Sequence, residues 1–179
     1  MMGQTPPAFD LLFWNGDGTN LPARMSIEYL RELCQDNKFA KGKIELLGQK
    51  LSIRDVSVPL CAIACETDHI AAWTSSYDGI GKMGSKDKTF ILSQSGHIAG
   101  IINPPSKKKY GHFTNPEMGL SHEDWKNTAD FNEGSWWPTW EKWLAKRSGA
   151  MVEARKPGDS KHLILAPAPG IYVVANPNT

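Results

Sequence analysis

"VPLCAIACETDHIAAW", residues 58–73, decides how this chain is read. Its first half is a continuous apolar run that closes on the polar Glu66-Thr67-Asp68. A short run with no polar alternation suits a strand buried on both faces, the kind found in parallel sheets. "AAWTSSYDGIGKM" (71–83) then reads as a helix with glycines near its end. "KTFILS" (88–93) is a second apolar strand. Strand, helix and strand in that order predict a parallel βαβ unit and an α/β fold.

That arrangement carries a chemical consequence. In an open parallel sheet, active groups sit beyond the carboxyl ends of the strands. Asp68 follows the first strand, and His97 follows the second within "ILSQSGHIAG" (91–100). A carboxylate and an imidazole are therefore expected at one sheet edge, on neighbouring strands. The order acid then histidine is that of the α/β-hydrolase triad, whose nucleophile lies upstream of both. In such a pair the carboxylate fixes the imidazole tautomer, and the other ring nitrogen takes a proton from the nucleophile. Gly96 is expected to permit the tight turn that aims the ring. On spacing alone, Asp68 more often reads as a turn or helix-cap residue, and His97 as a loop residue.

Outward from this unit, residues 1–10 contain Pro6-Pro7 and read as extended. "SIEYLRELCQDNKF" (26–39) places Ile27, Leu30, Leu33 and Cys34 at helical spacing, with Ser26 as N-cap. "GKIELLGQKLSIRD" (42–55) reads as a short β-hairpin or an irregular connection. Residues 103–134 are rich in Pro, Asn, Gly and Lys and predict a long wrapped loop with short helical turns. "PTWEKWLAKR" (138–147) predicts a helix with Pro138 in its first turn. The tail "HLILAPAPGIYVVA" (162–175) ends in an apolar extended segment.

With 179 residues, 40% hydrophobic and 22% charged, the composition is that of a globular domain with a real core. A formal net charge of +1 leaves no global basic footprint for nucleic acid. No apolar run approaches the roughly 18–20 residues that span a bilayer. The start "MMGQTPPAFD" lacks the basic and apolar regions of a secretory signal. Three cysteines, Cys34, Cys61 and Cys65, have no framework spacing, which fits a reducing cytoplasm.

Other clusters have plainer readings. Cys61, Cys65 and His69 have a C-x₃-C-x₃-H spacing, but a fourth ligand is missing and no metal is expected. His69 reads as a structural neighbour of Asp68. Lys107, Lys108 and Lys109 read as a solvated loop or as a patch attracting phosphates. Trp136, Trp140 and Trp143 fall at helical spacing and predict docking of that helix onto the core. Asn103-Pro104-Pro105 reads as a rigid loop exit, and Asp17 and Asn20 have no chemical role to assign.

Five runs carry a resemblance: "PPAFDLLFWNGDGTNLPARM", "YLRELCQDNKF", "VSVPLCAIACETDHIAAW", "SGHIAGIINPPSKKKY" and "GSWWPTWEKWL". Together and in this order they resemble the C-terminal part of a class I poly(3-hydroxyalkanoate) synthase. The resemblance implies the C-terminal portion of an α/β-hydrolase fold with an incomplete sheet. Residues 1–56 would belong to the cap, 57–150 to the hydrolase core and 151–179 to a C-terminal tail.

The resemblance implies an acyltransferase that polymerises 3-hydroxyacyl-CoA, with the family's catalytic aspartate and histidine falling on Asp68 and His97. No metal or bound organic cofactor is implied; coenzyme A is the leaving group. The family's nucleophile is a cysteine in a Gly-x-Cys-x-Gly turn, and this sequence has no such turn. The expectation is a synthase piece, inactive without a preceding cysteine-bearing segment. Implied partners are the substrate, the polyester chain, that segment and a second copy in a homodimer; the implied place is the cytoplasm, at the granule surface. A non-enzymatic truncated or granule-associated remnant and part of an esterase are the alternative readings.

Overall fold

The computed structural model describes residues 18–171. The expectations for residues 1–10, for Asp17 and for 172–175 lie outside the described residues. The chain divides into two compact units, Met1–Trp143 and Leu144–Thr179.

In the first unit, helix α1 (Ala23–Glu28) runs on as a π-helical stretch, Tyr29–Gln35. The expected helix is present but starts earlier. Pro22, not Ser26, is the N-cap, and the Ser26 N–H already bonds the Pro22 carbonyl at 3.0 Å. Its apolar residues Ile27, Leu30 and Leu33 are exposed. Strands β1 (Ile44–Leu46) and β2 (Gln49–Leu51) form an antiparallel hairpin. Leu47 and Gly48 both have positive φ, 50° and 75°, the primed turn that matches strand twist.

The main sheet has four strands: β3 (Leu60–Cys65), β4 (Lys88–Ser93), β5 (His112–Thr114) and β6 (Asp130–Asn132), in that spatial order. β3 and β4 are parallel, in register from Leu60↔Lys88 to Cys65↔Ser93. Helix α2 (Trp73–Gly81) links them, as the sequence predicts. β5 and β6 add antiparallel, so the sheet is mixed and the fold is a small α/β fold. These two strands correct the reading of 103–134 as loop with helical turns. Three-residue strands such as His112-Phe113-Thr114 are too short for a period-2 pattern to emerge. Helix α3 (His122–Asn127), between them, is one of the expected helical turns, capped by the Ser121 hydroxyl on the Asp124 N–H.

The core lies where α2 and α3 cover the parallel pair. Ala64, Tyr77, Ile80, Phe90, Leu92 and Trp125 form it. Tyr77 and Trp125 stand 5.2 Å from the Phe90 ring, the separation of favourable aromatic pairs. Polar tips are satisfied: the Tyr77 hydroxyl donates to the Leu120 carbonyl, and the Trp125 indole to the Asn115 carbonyl.

Helix α4 (Trp137–Ala145) is present as expected. Trp136, just before it, is buried, and Trp140 is exposed at its rim. His112 ties β5 to the start of this helix. Its Nδ1 donates to the Gly134 carbonyl at 3.0 Å, and its Nε2 accepts from the Thr139 hydroxyl at 2.8 Å. In the second unit, the apolar Leu163, Ile164 and Leu165 are exposed and in no strand, so the apolar tail forms no regular extended element as far as residue 171.

Two outcomes are expected. β3 has no strand partner on its outer side among the described residues, and an open apolar edge invites pairing. The purified chain is expected to self-associate, with a light-scattering mass above the monomer; a monodisperse monomer contradicts this. Burial holds the His112 pKa below 6.5, so the fold favours the neutral ring. Its contribution is complete above about pH 6.5 and is lost as pH falls through the folded value. Melting His112→Gln beside the parent from pH 7.5 to 5 is expected to show the steeper acid loss in the parent.

Candidate active site

The parallel register ends at Cys65↔Ser93, and both strands leave the sheet at the same edge. The exits are stitched together. The Glu66 N–H donates to the Ser93 carbonyl at 2.8 Å, and the Thr67 N–H to the Ser95 carbonyl at 3.0 Å. Asp68 lies three residues past β3 and His97 four past β4, so this stitching brings them face to face.

Asp68 and His97 are hydrogen-bonded, Nδ1 to Oδ2, at 2.8 Å. An ionised carboxylate only accepts, so Nδ1 carries the proton and Nε2 is left as the basic nitrogen. The other carboxylate oxygen accepts the Ile70 and Ala71 N–H groups at 2.8 and 2.9 Å. Asp68 is thus a turn residue and a histidine partner at once. Its side chain is 7% exposed, that of His97 46%. The acid is fixed from behind, and the imidazole faces outward.

These donors hold the Asp68 carboxyl well below the usual carboxylate range, at about 2. The Ala71 N–H contributes most, then His97; burial works against them.

The histidine turn is built differently from expectation. Gly96 does not have the left-handed backbone; Ser95 does, at φ 74°. A Cβ on Gly96 would meet only ordinary contacts with Thr67 at 3.7 Å. The glycine that close packing requires is Gly100, whose added Cβ would sit 2.6 Å from Cys65 Sγ and 2.7 Å from the Gln94 carbonyl.

Glu66, between β3 and Asp68, pairs with Lys126 of α3 at 2.8 Å, and the same ammonium lies 3.0 Å over the Phe113 ring. Spacing in the sequence offers no signal for that long-range pair. His69 stays exposed beside Asp68. Among the described residues no group of three or more His, Cys, Asp or Glu is placed to hold a metal. No helix of the described residues is long and apolar enough to cross a membrane. Cys65 is buried, and burial, with the Asp68 charge, pushes its thiol up, the reverse of an activated nucleophile. Cys34 is exposed in the π-helical stretch.

No family model matches the chain. Individual relatives do. The poly(3-hydroxyalkanoate) polymerase subunit PhaC of Cupriavidus necator is 41% identical over 98% of this chain. The poly(3-hydroxyalkanoate) polymerase of Methylorubrum extorquens is 44% identical over 96%, and the PhaC subunit of Rhizobium meliloti 41% over 97%. By sequence, the chain corresponds to a C-terminal part of a poly(3-hydroxyalkanoate) polymerase. It spans 30%, 28% and 28% of the length of these three curated relatives.

The depressed Asp68 pKa sets an acid test. Its contribution to stability is complete above the ordinary value of 3.8 and lost as pH falls through about 2. The gap in melting temperature between the parent and Asp68→Asn is expected to hold at pH 6 and to close between pH 3.8 and 2. A gap independent of pH over that range contradicts the assignment.

Proposed function

We propose that this chain supplies the acid and histidine of a Cys-His-Asp acyl-transfer site, within a polymerase of 3-hydroxyacyl-CoA built on an α/β-hydrolase fold. The observation that carries the reading is the 2.8 Å Asp68–His97 hydrogen bond at the carboxyl edge of two parallel strands, with Nε2 left basic. The names of the relatives support the polymerase part of that reading.

In this mechanism His97 Nε2 takes the proton of a cysteine thiol contributed by another part of the polymerase. The thiolate attacks the acyl carbonyl carbon of the substrate thioester. The bond to the coenzyme A sulfur breaks, the proton passes from Nε2 to that sulfur, and the acyl group stays on the enzyme cysteine. The ring is cationic while it holds the proton, and the adjacent Asp68 carboxylate stabilises it. His97 then removes the proton from a 3-hydroxyl group, whose oxygen attacks the carbonyl carbon of the next acyl thioester; the bond to that thioester's sulfur breaks, and Nε2 returns the proton to the departing sulfur.

Lys107 and Lys109 line a recess with Ile98, Ala99 and Asn103, immediately after His97 in the chain. Neither lysine is paired with a carboxylate among the described residues. In this reading they attract the phosphates of coenzyme A. The enzyme works in the cytoplasm at the granule surface, where the growing polyester lies.

In a full-length polymerase carrying this segment, His97→Ala and Asp68→Asn are expected to lower release of coenzyme A from 3-hydroxybutyryl-CoA by roughly 10²- to 10⁴-fold. The 179-residue chain alone is expected to release none. Turnover by the isolated chain that survives replacement of Cys34, Cys61 and Cys65 by Ala contradicts the mechanism.

A further inference from the structure

His97 rides on a single helical turn. The Gly100 N–H bonds the Gly96 carbonyl at 3.0 Å, and the Ile102 N–H bonds the Ile98 carbonyl at 2.8 Å. If the turn continued, the Gly100 and Ile101 carbonyls would accept from the N–H groups of residues 104 and 105. Both are prolines and have no N–H to give. The last carbonyls of a helical segment need partners when buried, and Gly100 is buried.

The partners come from far along the chain. The Trp136 indole N–H donates to the Gly100 carbonyl at 3.0 Å, and the Trp137 indole N–H to the Ile101 carbonyl at 3.0 Å. The Ser93 hydroxyl adds a second bond to the Gly100 carbonyl at 2.8 Å. Two consecutive indoles thus take the places of two consecutive missing backbone donors. Trp136 is 8% exposed, so its bond is shielded from competing water.

We propose that Trp136, with Trp137, is a positioning residue for His97, its indole N–H standing in for the donor that Pro104 lacks. The functional meaning of His97 rests on the reading above; the clamp itself does not. The pair closes off the carbonyl end of the turn, while Asp68 holds the ring at its other end. A turn pinned at both ends keeps Nδ1 toward the carboxylate and Nε2 outward. Without the clamp, the Gly100–Ile102 segment has one polar anchor fewer, and the ring samples positions away from Asp68.

Trp136→Phe keeps an aromatic ring and removes the donor. Long-range ¹H–¹⁵N correlation of the 179-residue chain at alkaline pH reads the imidazole tautomer directly. The parent is expected to show His97 held as the Nδ1–H form. In folded Trp136→Phe the ratio of Nδ1–H to Nε2–H forms is expected to fall several-fold, up to about tenfold for one lost hydrogen bond. A merely structural role lowers the melting temperature and leaves that ratio alone.

Adding Pro104→Ala returns an N–H four residues after Gly100 and is expected to recover the ratio. A folded Trp136→Phe chain with the parental ratio overturns the proposal, as does a folded double variant without recovery. Should Trp136→Phe fail to fold, Trp137→Phe, at a half-buried position, takes its place: a fall in the ratio supports the clamp, and the parental ratio overturns it. None of these signals requires substrate. A full-length polymerase indifferent to His97 would overturn the functional reading and leave the clamp standing.

Discussion

The parallel pairing of β3 with β4 is the constraint on which the rest of this structure depends. Its register, Leu60↔Lys88 through Cys65↔Ser93, fixes where both strands leave the sheet. A slip of one residue would shift Asp68 against His97 by about 3.3 Å and turn every β3 side chain to the opposite face. The 2.8 Å contact would not survive that displacement. Burial protects the register: Phe90, Ile91 and Leu92 are at most 1% exposed, and the Tyr77, Phe90 and Trp125 rings interlock over one face. The packing that makes the core therefore also sets the geometry of the candidate site.

At the edge itself, polar satisfaction takes over from packing. The Asp68 carboxylate is shielded from solvent, where an ion without partners is strongly disfavoured. Three donors, two of them backbone N–H groups of its own turn, keep it charged. Among the described residues the imidazole has one such tie and is nearly half exposed, which suits the proton exchange proposed for it. This asymmetry makes the carboxylate the more firmly held member of the pair and the ring the more accessible one.

What the sequence reveals and conceals follows from the range of the interactions. "VPLCAIAC", "KTFILS" and the helix between them are legible because long apolar runs and helical spacing are local signals. The Asp68–His97 juxtaposition follows from them by topology alone. β5 and β6 stay hidden because three polar-flanked residues carry no period. Ser26 misleads because its hydroxyl is a good cap in isolation, yet Pro22, with φ −53°, already starts the helix four residues earlier. Gly96 misleads in the same way: the left-handed residue is its neighbour Ser95, and the crowded one is Gly100. Of the three tryptophans at helical spacing, Trp136 is buried but precedes the helix, Trp140 is exposed, and no residue of the helix itself is buried; the indole N–H bonds of Trp136 and Trp137 span 36 residues and leave no trace in any local pattern.

The supports of the acid–histidine pair come from one stretch of chain. The Asp68 donors are residues 70, 71 and 97. The stitching between the loops uses Glu66, Thr67, Ser93 and Ser95, and the far end of the histidine turn is held by Ser93, Trp136 and Trp137. Each of these bonds lies between residues 66 and 137, and none draws on a thiol. On the proposed mechanism, a site assembled this way is organised before its nucleophile arrives, since the tautomer is set by the shielded carboxylate rather than by the group to be deprotonated. On that mechanism the thiol has only to be placed near Nε2. On the same mechanism the cost of orienting the base is met by folding, so the barrier to proton transfer would contain little reorganisation of the pair.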